Sequence, residues 1–265
     1  MAYIALFDVL GFKRLVRAKA LPEMVATMSK VHTCLRASVA FAKDGPDLRG
    51  LSGDAYLAAH AESAELKFPS LGFSDSFLMY SPTETDHDFH HIVLAANKFV
   101  CLALLGGLLV RGAVTKGDLH VSDDSSLFVG EGLVRAYELE QRQDWLGGIL
   151  DPDRIEVPDV YDPMRNICES YDILAERRYI LMYDVPMKAG SASSRCWCLG
   201  WPAFIERMPE GELIEFLAKE QLPTSDSATR KHANTVEFFR YHRVISKEPL
   251  DYTTAGGLRF KVRRD

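Results

Sequence analysis

The chain opens on an apolar run that does not alternate with polar positions. Residues 3–7, YIALF, predict a strand buried on both faces, because a central strand covered by helices shows this pattern. Asp8 follows at the end of that strand. An ionised carboxylate in such a place loses hydration and needs a cation or backbone N–H groups as partners. Asp8 is therefore the first candidate functional residue.

Helical periodicity follows the strand. The residues Leu10, Gly11 and Phe12 predict a tight turn into a helix that Pro22 interrupts. A second helix is predicted beyond the proline, because apolar residues recur there at helical spacing. The residues of that apolar stripe are Met24, Met28, Val31 and Leu35.

Two hairpins and two further helices are predicted downstream. The stretch FSDSFLMY has strand character over residues 77–80 and places Asp75 near the tip of a hairpin. A helix over about residues 90–105 ends at Gly106 and Gly107. A second hairpin turns at residues 122–125, and a helix follows over residues 132–142.

This order of elements predicts an α+β fold, a ferredoxin-like palm with a βααββαβ core. We assign residues 1–202 to this core domain, whose sheet is extended by two later strands within residues 178–186 and 195–204. Residues 203–265 are predicted to form a helical C-terminal extension that packs on the core or on a partner chain. Residues 44–67 show no clear periodicity and receive no assignment.

Composition and charge narrow the range of partners. A net charge of −6 and a pI near 5.8 argue against a nucleic-acid surface, although a local basic pocket for phosphates is compatible with them. The five cysteines are mostly in apolar or helical surroundings, which favours a reducing cytoplasm. The longest apolar run, residues 99–110, is too short to cross a bilayer. We predict a cytoplasmic protein with no membrane partner.

The carboxylates of Asp8 and Asp75 are predicted at the ends of neighbouring central strands. Such a pair can hold two divalent ions about 3.5–4 Å apart, as phosphoryl transfer requires. The turn at Gly11 and Phe12 offers backbone N–H groups to phosphate oxygens, and Arg111 is placed to clamp phosphates bidentately. Two alternatives remain open: Asp8 caps the turn or the helix after it, and Arg111 pairs with a carboxylate.

Four ordered motifs within residues 3–142 resemble the class III nucleotide cyclases. They stand here as FDVLGF, FSDSFLMY, RGAVTKG and FVGEGLVRAYELE. The resemblance implies two metal ions, Mn²⁺ or Mg²⁺, held by Asp8, Asp75 and the main-chain carbonyl of Val9. It also implies a head-to-tail homodimer with two active sites at the interface.

The departures from the family pattern concern the substrate and the transition state. The two purine-reading positions of the family fall on Leu71 and Leu127. The transition-state Asn and Arg fall on Val134 and Glu138, which leaves Arg135 as the candidate source of positive charge. A chain that keeps the metal ligands but lacks the purine-reading residues resembles the Pycsar bacterial anti-phage cyclases. These enzymes make cyclic UMP or cyclic CMP.

Two assignments near the site have competitors. Asp54, in the stretch GDAY, is a rival for the second metal ligand, but Asp75 is flanked by strand-forming residues and is preferred. Phe73 is a candidate to stack on the base and Ser74 to bond to a pyrimidine edge, and both are equally compatible with hairpin packing. Tyr56 is a further possible base contact.

These expectations combine into a cytoplasmic uridylate cyclase. In the reaction the 3′-hydroxyl of UTP attacks the α-phosphorus and pyrophosphate leaves, and the cyclic UMP acts as a second messenger on a separate effector protein. The alternatives are a cytidylate cyclase that uses CTP, and an inactive cyclase-fold module that binds nucleotide or dimerises. The second alternative is motivated by Val134 and Glu138.

Overall fold

The computed structural model describes residues 1–41, 65–66, 69–122, 127–157, 174, 177–188, 194–220, 225–247, 250–253 and 259–262. The strands are Ala2–Val9 (β1), Ala40–Phe41 (β2), Glu65–Leu66 (β3), Ser70–Phe73 (β4), Ser76–Tyr80 (β5), Val110–Gly117 (β6), His120–Val121 (β7), Phe128–Val129 (β8), Gly147–Leu150 (β9), Ile180–Val185 (β10), Ser194–Leu199 (β11), Leu250–Thr253 (β12) and Arg259–Val262 (β13). The α-helices are Phe12–Ala18 (α1), Leu21–Val39 (α2), Asp86–Leu105 (α3), Glu131–Arg142 (α4), Glu210–Glu220 (α5) and Asp226–Ile245 (α6).

The central sheet has seven strands in the order β10-β11-β9-β6-β1-β5-β4. Within it β4, β5, β1 and β6 are antiparallel neighbours. Helices α1 and α2 connect β1 to the β4–β5 hairpin, and α3 connects β5 to β6. This is the ferredoxin-like βααββαβ arrangement, and it confirms the predicted α+β fold class.

Strand β1 lies in the middle of the sheet and is covered on both faces, as its unbroken apolar run predicts. Phe7 is fully buried on one face, where its ring lies 5.3 Å from that of Phe99 in α3. Ile4 and Leu6 point to the other face, in one apolar cluster with Ala136 of α4. Because both faces are buried, truncating a side chain such as Phe7 to alanine would cost about 3–5 kcal/mol.

Helix α3 is a core helix with a defined start and end. Thr85 and Asp88 form a capping box at its N-terminus, and Gly106 follows its last turn. By length and composition the helix could cross a bilayer. However, 67% of its most apolar stretch is buried inside the protein, as is usual for a core helix. The described cysteines Cys34, Cys101, Cys196 and Cys198 are all buried, and a cytoplasmic location stays a prediction.

The later strands extend the sheet as predicted, with two differences. Strand β9, parallel to β6, was not predicted, because GGIL is short and rich in glycine. The second hairpin is confirmed only near its tip, where β7 pairs with β8. The longer and more deeply buried β6 pairs instead with β1 and β9.

The C-terminal helices pack on the core. Phe238 of α6 lies edge-to-face on Trp145 with the ring centroids 4.6 Å apart. Thr235 accepts a hydrogen bond of 3.0 Å from the backbone N–H of Leu146. The helical extension therefore contacts the same chain's core, while the division at residues 202 and 203 stays a prediction.

Candidate functional site

The structure brings Asp8 and Asp75 to the same end of the sheet. Asp8 is the penultimate residue of β1 and lies in register with Ser76 of β5 and Arg111 of β6. Asp75 occupies the turn between β4 and β5, and its carbonyl oxygen accepts a hydrogen bond of 2.9 Å from the N–H of Val9. This bond fastens the hairpin turn to the end of β1 and brings Asp75 close enough to Asp8 for their charges to interact.

The environment of Asp8 disfavours its ionised form. The pKa of Asp8 is raised to about 7, chiefly by burial and then by the negative charges of Glu140 and Asp75, while the positive charges of Arg111 and Lys188 lower it in part. Ionising Asp8 there is costly until a cation supplies the missing charge. Carboxylate and carbonyl oxygens are the ligands that Mg²⁺ and Mn²⁺ prefer, so the donor set fits the metal ions expected from the sequence.

The alternative role of Asp8 as a helix cap is not what the structure shows. Helix α1 begins after Gly11, and no side chain makes a capping hydrogen bond at that position. Gly11 has a φ of 76°, in the left-handed region that favours glycine. Its carbonyl accepts hydrogen bonds of 2.9 and 3.1 Å from the N–H groups of Arg14 and Leu15, which closes the first turn of α1 on Phe12.

Arg111 is engaged in a buried ion pair, which corrects the expectation of a phosphate clamp. Its Nε donates to Glu140 Oε1 at 2.7 Å, Nη2 contacts the same oxygen, and Nη1 donates to the carbonyl oxygen of Gln143 at 2.6 Å. The Arg111 and Glu140 side chains are 4% and 1% exposed. A guanidinium buried this deeply needs a carboxylate partner, so the ion-pair alternative is the arrangement found.

Arg135 lies away from Asp8 within one chain. Its Nε and Nη2 donate to the two carboxylate oxygens of Asp151 at 2.9 and 2.8 Å. Asp151 also accepts a hydrogen bond of 2.6 Å from Thr115, which stands four positions after Arg111 on β6. Four strand residues span about 13 Å, so the chain alone does not bring Arg135 to the site. This corrects its predicted placement.

The residues before Asp75 are placed on the open side of the hairpin. Phe73 is 70% exposed, so its ring is not used in hairpin packing, which was one of its two predicted roles. Ser74 has a φ of 55°, a turn conformation in the left-handed region. The competing candidates Asp54 and Tyr56 lie outside the described residues.

Glu140 is the feature of this site that sequence reasoning missed. It follows the buried residues Ala136 and Leu139 on the inner face of α4, where a charged residue at helical spacing is itself a signal of a buried partner. Among the residues that the structure describes, no group of three or more His, Cys, Asp or Glu side chains is arranged to hold a metal ion. A metal would therefore rest on the two aspartates and on backbone or substrate oxygens.

Comparisons with known proteins give distant structural similarities and no sequence match. No family model matches the chain, and no curated protein matches it. Fifteen chains of solved structures match. One of them, described as the crystal structure of the adenylyl cyclase CyaB from P. aeruginosa, aligns with a TM-score of 0.41 and 10% sequence identity over 75% of this chain and 92% of that chain. A similarity of this size says nothing about the activity or the substrate of the present chain.

Proposed function

We propose that the chain is a metal-dependent nucleotide cyclase that converts UTP to 3′,5′-cyclic UMP and pyrophosphate. The proposal is supported by the placement of Asp8 and Asp75 at the same end of the sheet, where burial and their mutual repulsion raise the pKa of Asp8. The four motifs that resemble those of class III nucleotide cyclases indicate the class of reaction, cyclisation of a nucleoside triphosphate. The ferredoxin-like order of the elements is compatible with that class.

Each residue near the turn has a role in this proposal. Asp8, Asp75 and the carbonyl of Val9 would hold two divalent ions, Mn²⁺ or Mg²⁺. When bound, such ions lower the pKa of the attacking hydroxyl and spread the charge of the phosphates. The turn at Gly11 and Phe12 binds phosphate oxygens through backbone N–H groups.

The base is read on the exposed side of the hairpin. Phe73 stacks on the pyrimidine, and Ser74 bonds to its edge. Leu71 and Leu127 stand where purine-specific cyclases read the base, and an apolar side chain makes no hydrogen bond to a purine. Cytidylate cyclase, with CTP as the substrate, is the alternative within the same class.

The proposed enzyme is a cytoplasmic homodimer of the Pycsar type, whose cyclic product acts on a separate effector in anti-phage defence. A second copy of the chain is needed to bring Arg135 near Asp8, because within one chain they lie at opposite ends of β6. Exposed apolar side chains are available for such a contact: Leu127, Val129, Val134 and Tyr137.

A second candidate function is a module that binds nucleotide without turnover. It is favoured by the two arginines, since Arg111 is paired with Glu140 and Arg135 with Asp151. Neither guanidinium is directed at phosphates beside Asp8 in a single chain.

Incubation with each of the four ribonucleoside triphosphates and Mn²⁺, followed by mass spectrometry, separates these functions. We expect cyclic UMP as the main product, whereas cyclic CMP supports the alternative substrate. Asp75→Asn should abolish the product without unfolding the chain, and the exposed Asp184→Asn should leave it unchanged. Absence of a cyclic product from every triphosphate would favour the inactive module, and full activity of Asp75→Asn would move the second ligand to Asp54.

A further inference from the structure

A cavity of about 230 Å³ lies between the β1–α1 turn and the first turns of α6. Its apolar wall includes Leu109 and Leu146. The polar and glycine positions of its lining are Gly11, Arg14, Ser225, Ser227, Lys231 and His232. The C-terminal extension therefore forms one wall of a cavity whose other wall is the turn directly after the candidate metal ligands.

The lining of the cavity is basic. Arg14, Lys231 and His232 face it, and none of the lining residues in the described part of the chain is acidic. Lys231 donates a hydrogen bond of 2.7 Å to Ser227 and lies 3.8 Å from a carboxylate oxygen of Asp144. Asp144 is also paired with Arg230, so two cations share this one carboxylate.

The basic groups act on one another across the cavity. Burial lowers the pKa of His232, and the positive charges of Arg14 and Lys231 lower it further. Burial likewise lowers the pKa of Lys231 more than Asp144 raises it. Like charges gathered in a half-buried site are unfavourable together, and a multivalent anion between them removes the repulsion.

The position and the size of the cavity restrict the ligand. Gly11 is only three positions after Asp8, so the chain between them spans at most about 10 Å. A cavity of 230 Å³ is smaller than the roughly 300–1,000 Å³ of sites that enclose organic ligands. It suits a chain of phosphates and leaves the nucleoside outside.

We propose that this cavity binds the terminal phosphates of the nucleoside triphosphate and holds the pyrophosphate as it leaves. The assignment rests on the proposed function and deepens it, because it makes Lys231 and His232 of α6, together with Arg14 of α1, part of the substrate site. Arg14 contacts phosphate oxygens with its guanidinium, and Lys231 contributes a point charge.

Tripolyphosphate is the probe, titrated calorimetrically into the full chain in metal-free buffer, with pyrophosphate and inorganic phosphate for comparison. Arg14→Gln and Lys231→Gln should each weaken tripolyphosphate binding about ten-fold. Arg17→Gln is the matched control, because Arg17 lies one turn further along α1 and does not line the cavity. Thermal melting of each variant verifies that it is folded.

The assignment would be overturned if the wild-type chain did not bind tripolyphosphate, or if it bound tripolyphosphate and inorganic phosphate with equal affinity. It would also be overturned if Arg14→Gln and Arg17→Gln lost the same amount of affinity for tripolyphosphate. A cyclase whose KM for the triphosphate is unchanged in Arg14→Gln overturns the cavity assignment and leaves the proposed function standing. Conversely, tripolyphosphate binding that is lost in Arg14→Gln, in a chain that makes no cyclic nucleotide, supports the cavity and overturns the proposed function.

The imidazole of His232 gives a second readout. An anion beside Arg14 and Lys231 should raise the pKa of His232. NMR follows the imidazole signal of His232 over a pH series with and without tripolyphosphate. The signal is assigned by its absence from the spectrum of His232→Gln. A His232 pKa that does not change under saturating tripolyphosphate would place the anion elsewhere and overturn the assignment.

Discussion

The half-buried Asp8 and the fully buried Asp151 lie near opposite ends of β6, and their charges are compensated to very different degrees. Asp151 accepts hydrogen bonds from Arg135 and Thr115, and these outweigh the effect of burial and lower the pKa of Asp151. Asp8, at the other end, shares its surroundings with Glu140 and Asp75, and its pKa rises to about 7. A structural carboxylate has its partners within the chain, whereas Asp8 lacks sufficient positive charge and is therefore the better candidate for a ligand.

The Arg111–Glu140 pair explains why Arg111 compensates the charge of Asp8 only in part. Nε and Nη2 of the guanidinium both contact Glu140, and Nη1 donates to the backbone carbonyl of Gln143. Gln143 is itself fixed by hydrogen bonds to Gly112 and Trp145, of 2.8 Å each. Glu140 therefore neutralises most of the charge of Arg111, and Asp8 keeps a site for an external cation.

Removing the partner of Arg111 gives the largest expected effect on stability. Glu140→Gln leaves a buried guanidinium without a charge partner and should lower the free energy of unfolding by about 3–5 kcal/mol. Urea denaturation measures the change. Glu138→Gln, on the exposed side of the same helix, is the control and should stay within about 0.5 kcal/mol of wild type. Equal stability of the two variants would show that the Arg111 pair is not buried as described.

Asp151→Asn should destabilise the chain at neutral pH by about 1–3 kcal/mol, because it leaves the partly buried Arg135 without its main partner. The stabilisation that Asp151 gives is present above its unfolded pKa and is lost as pH falls through its lowered folded pKa. Denaturation at pH 7 and in acid should therefore show a difference between variant and wild type that shrinks at low pH. A constant difference would contradict the comparison.

Asp8→Asn should act in the opposite direction in metal-free protein. A raised folded pKa contributes stability that is present below pH 4 and lost as pH rises through about 7. At pH 8 the variant should therefore be more stable than wild type by roughly 1–3 kcal/mol, with part of the effect screened by solvent. The same denaturation series at pH 5 should bring the two proteins closer together. If Asp8→Asn were less stable than wild type at pH 8, the carboxylate of Asp8 would be stabilised within the chain, as that of Asp151 is, and the difference between the two would disappear.

Phe73→Ala should change stability least, because the proposed role of Phe73 is to stack on the base and it contributes no charge near Asp8 or Asp151. The ring is exposed, so stability should change by less than about 0.5 kcal/mol. The KM for the triphosphate should rise about ten-fold, through the loss of stacking. Leu21→Ala, at another exposed apolar side chain, is the control. An unchanged KM would show that the base lies elsewhere.

The sequence allowed the positions of the aspartates to be predicted because both belong to local patterns. An apolar strand followed by Asp8 and a hairpin with Asp75 at its tip are each contained in about ten residues. The partners of Arg111 and Arg135 could not be predicted in this way, since Glu140 and Asp151 lie 29 and 16 residues away and meet them only through folding. The basic cavity likewise joins Arg14 to Lys231, residues that no local pattern connects.

Diffraction from a crystal grown with Mn²⁺ and a non-hydrolysable UTP analogue would show whether Asp8 and Asp75 hold the metal. We expect an anomalous manganese peak between the carboxylates of Asp8 and Asp75, with the phosphates of the analogue beside it. Bound analogue with no manganese between the two side chains would show that Asp8 and Asp75 are not a metal site.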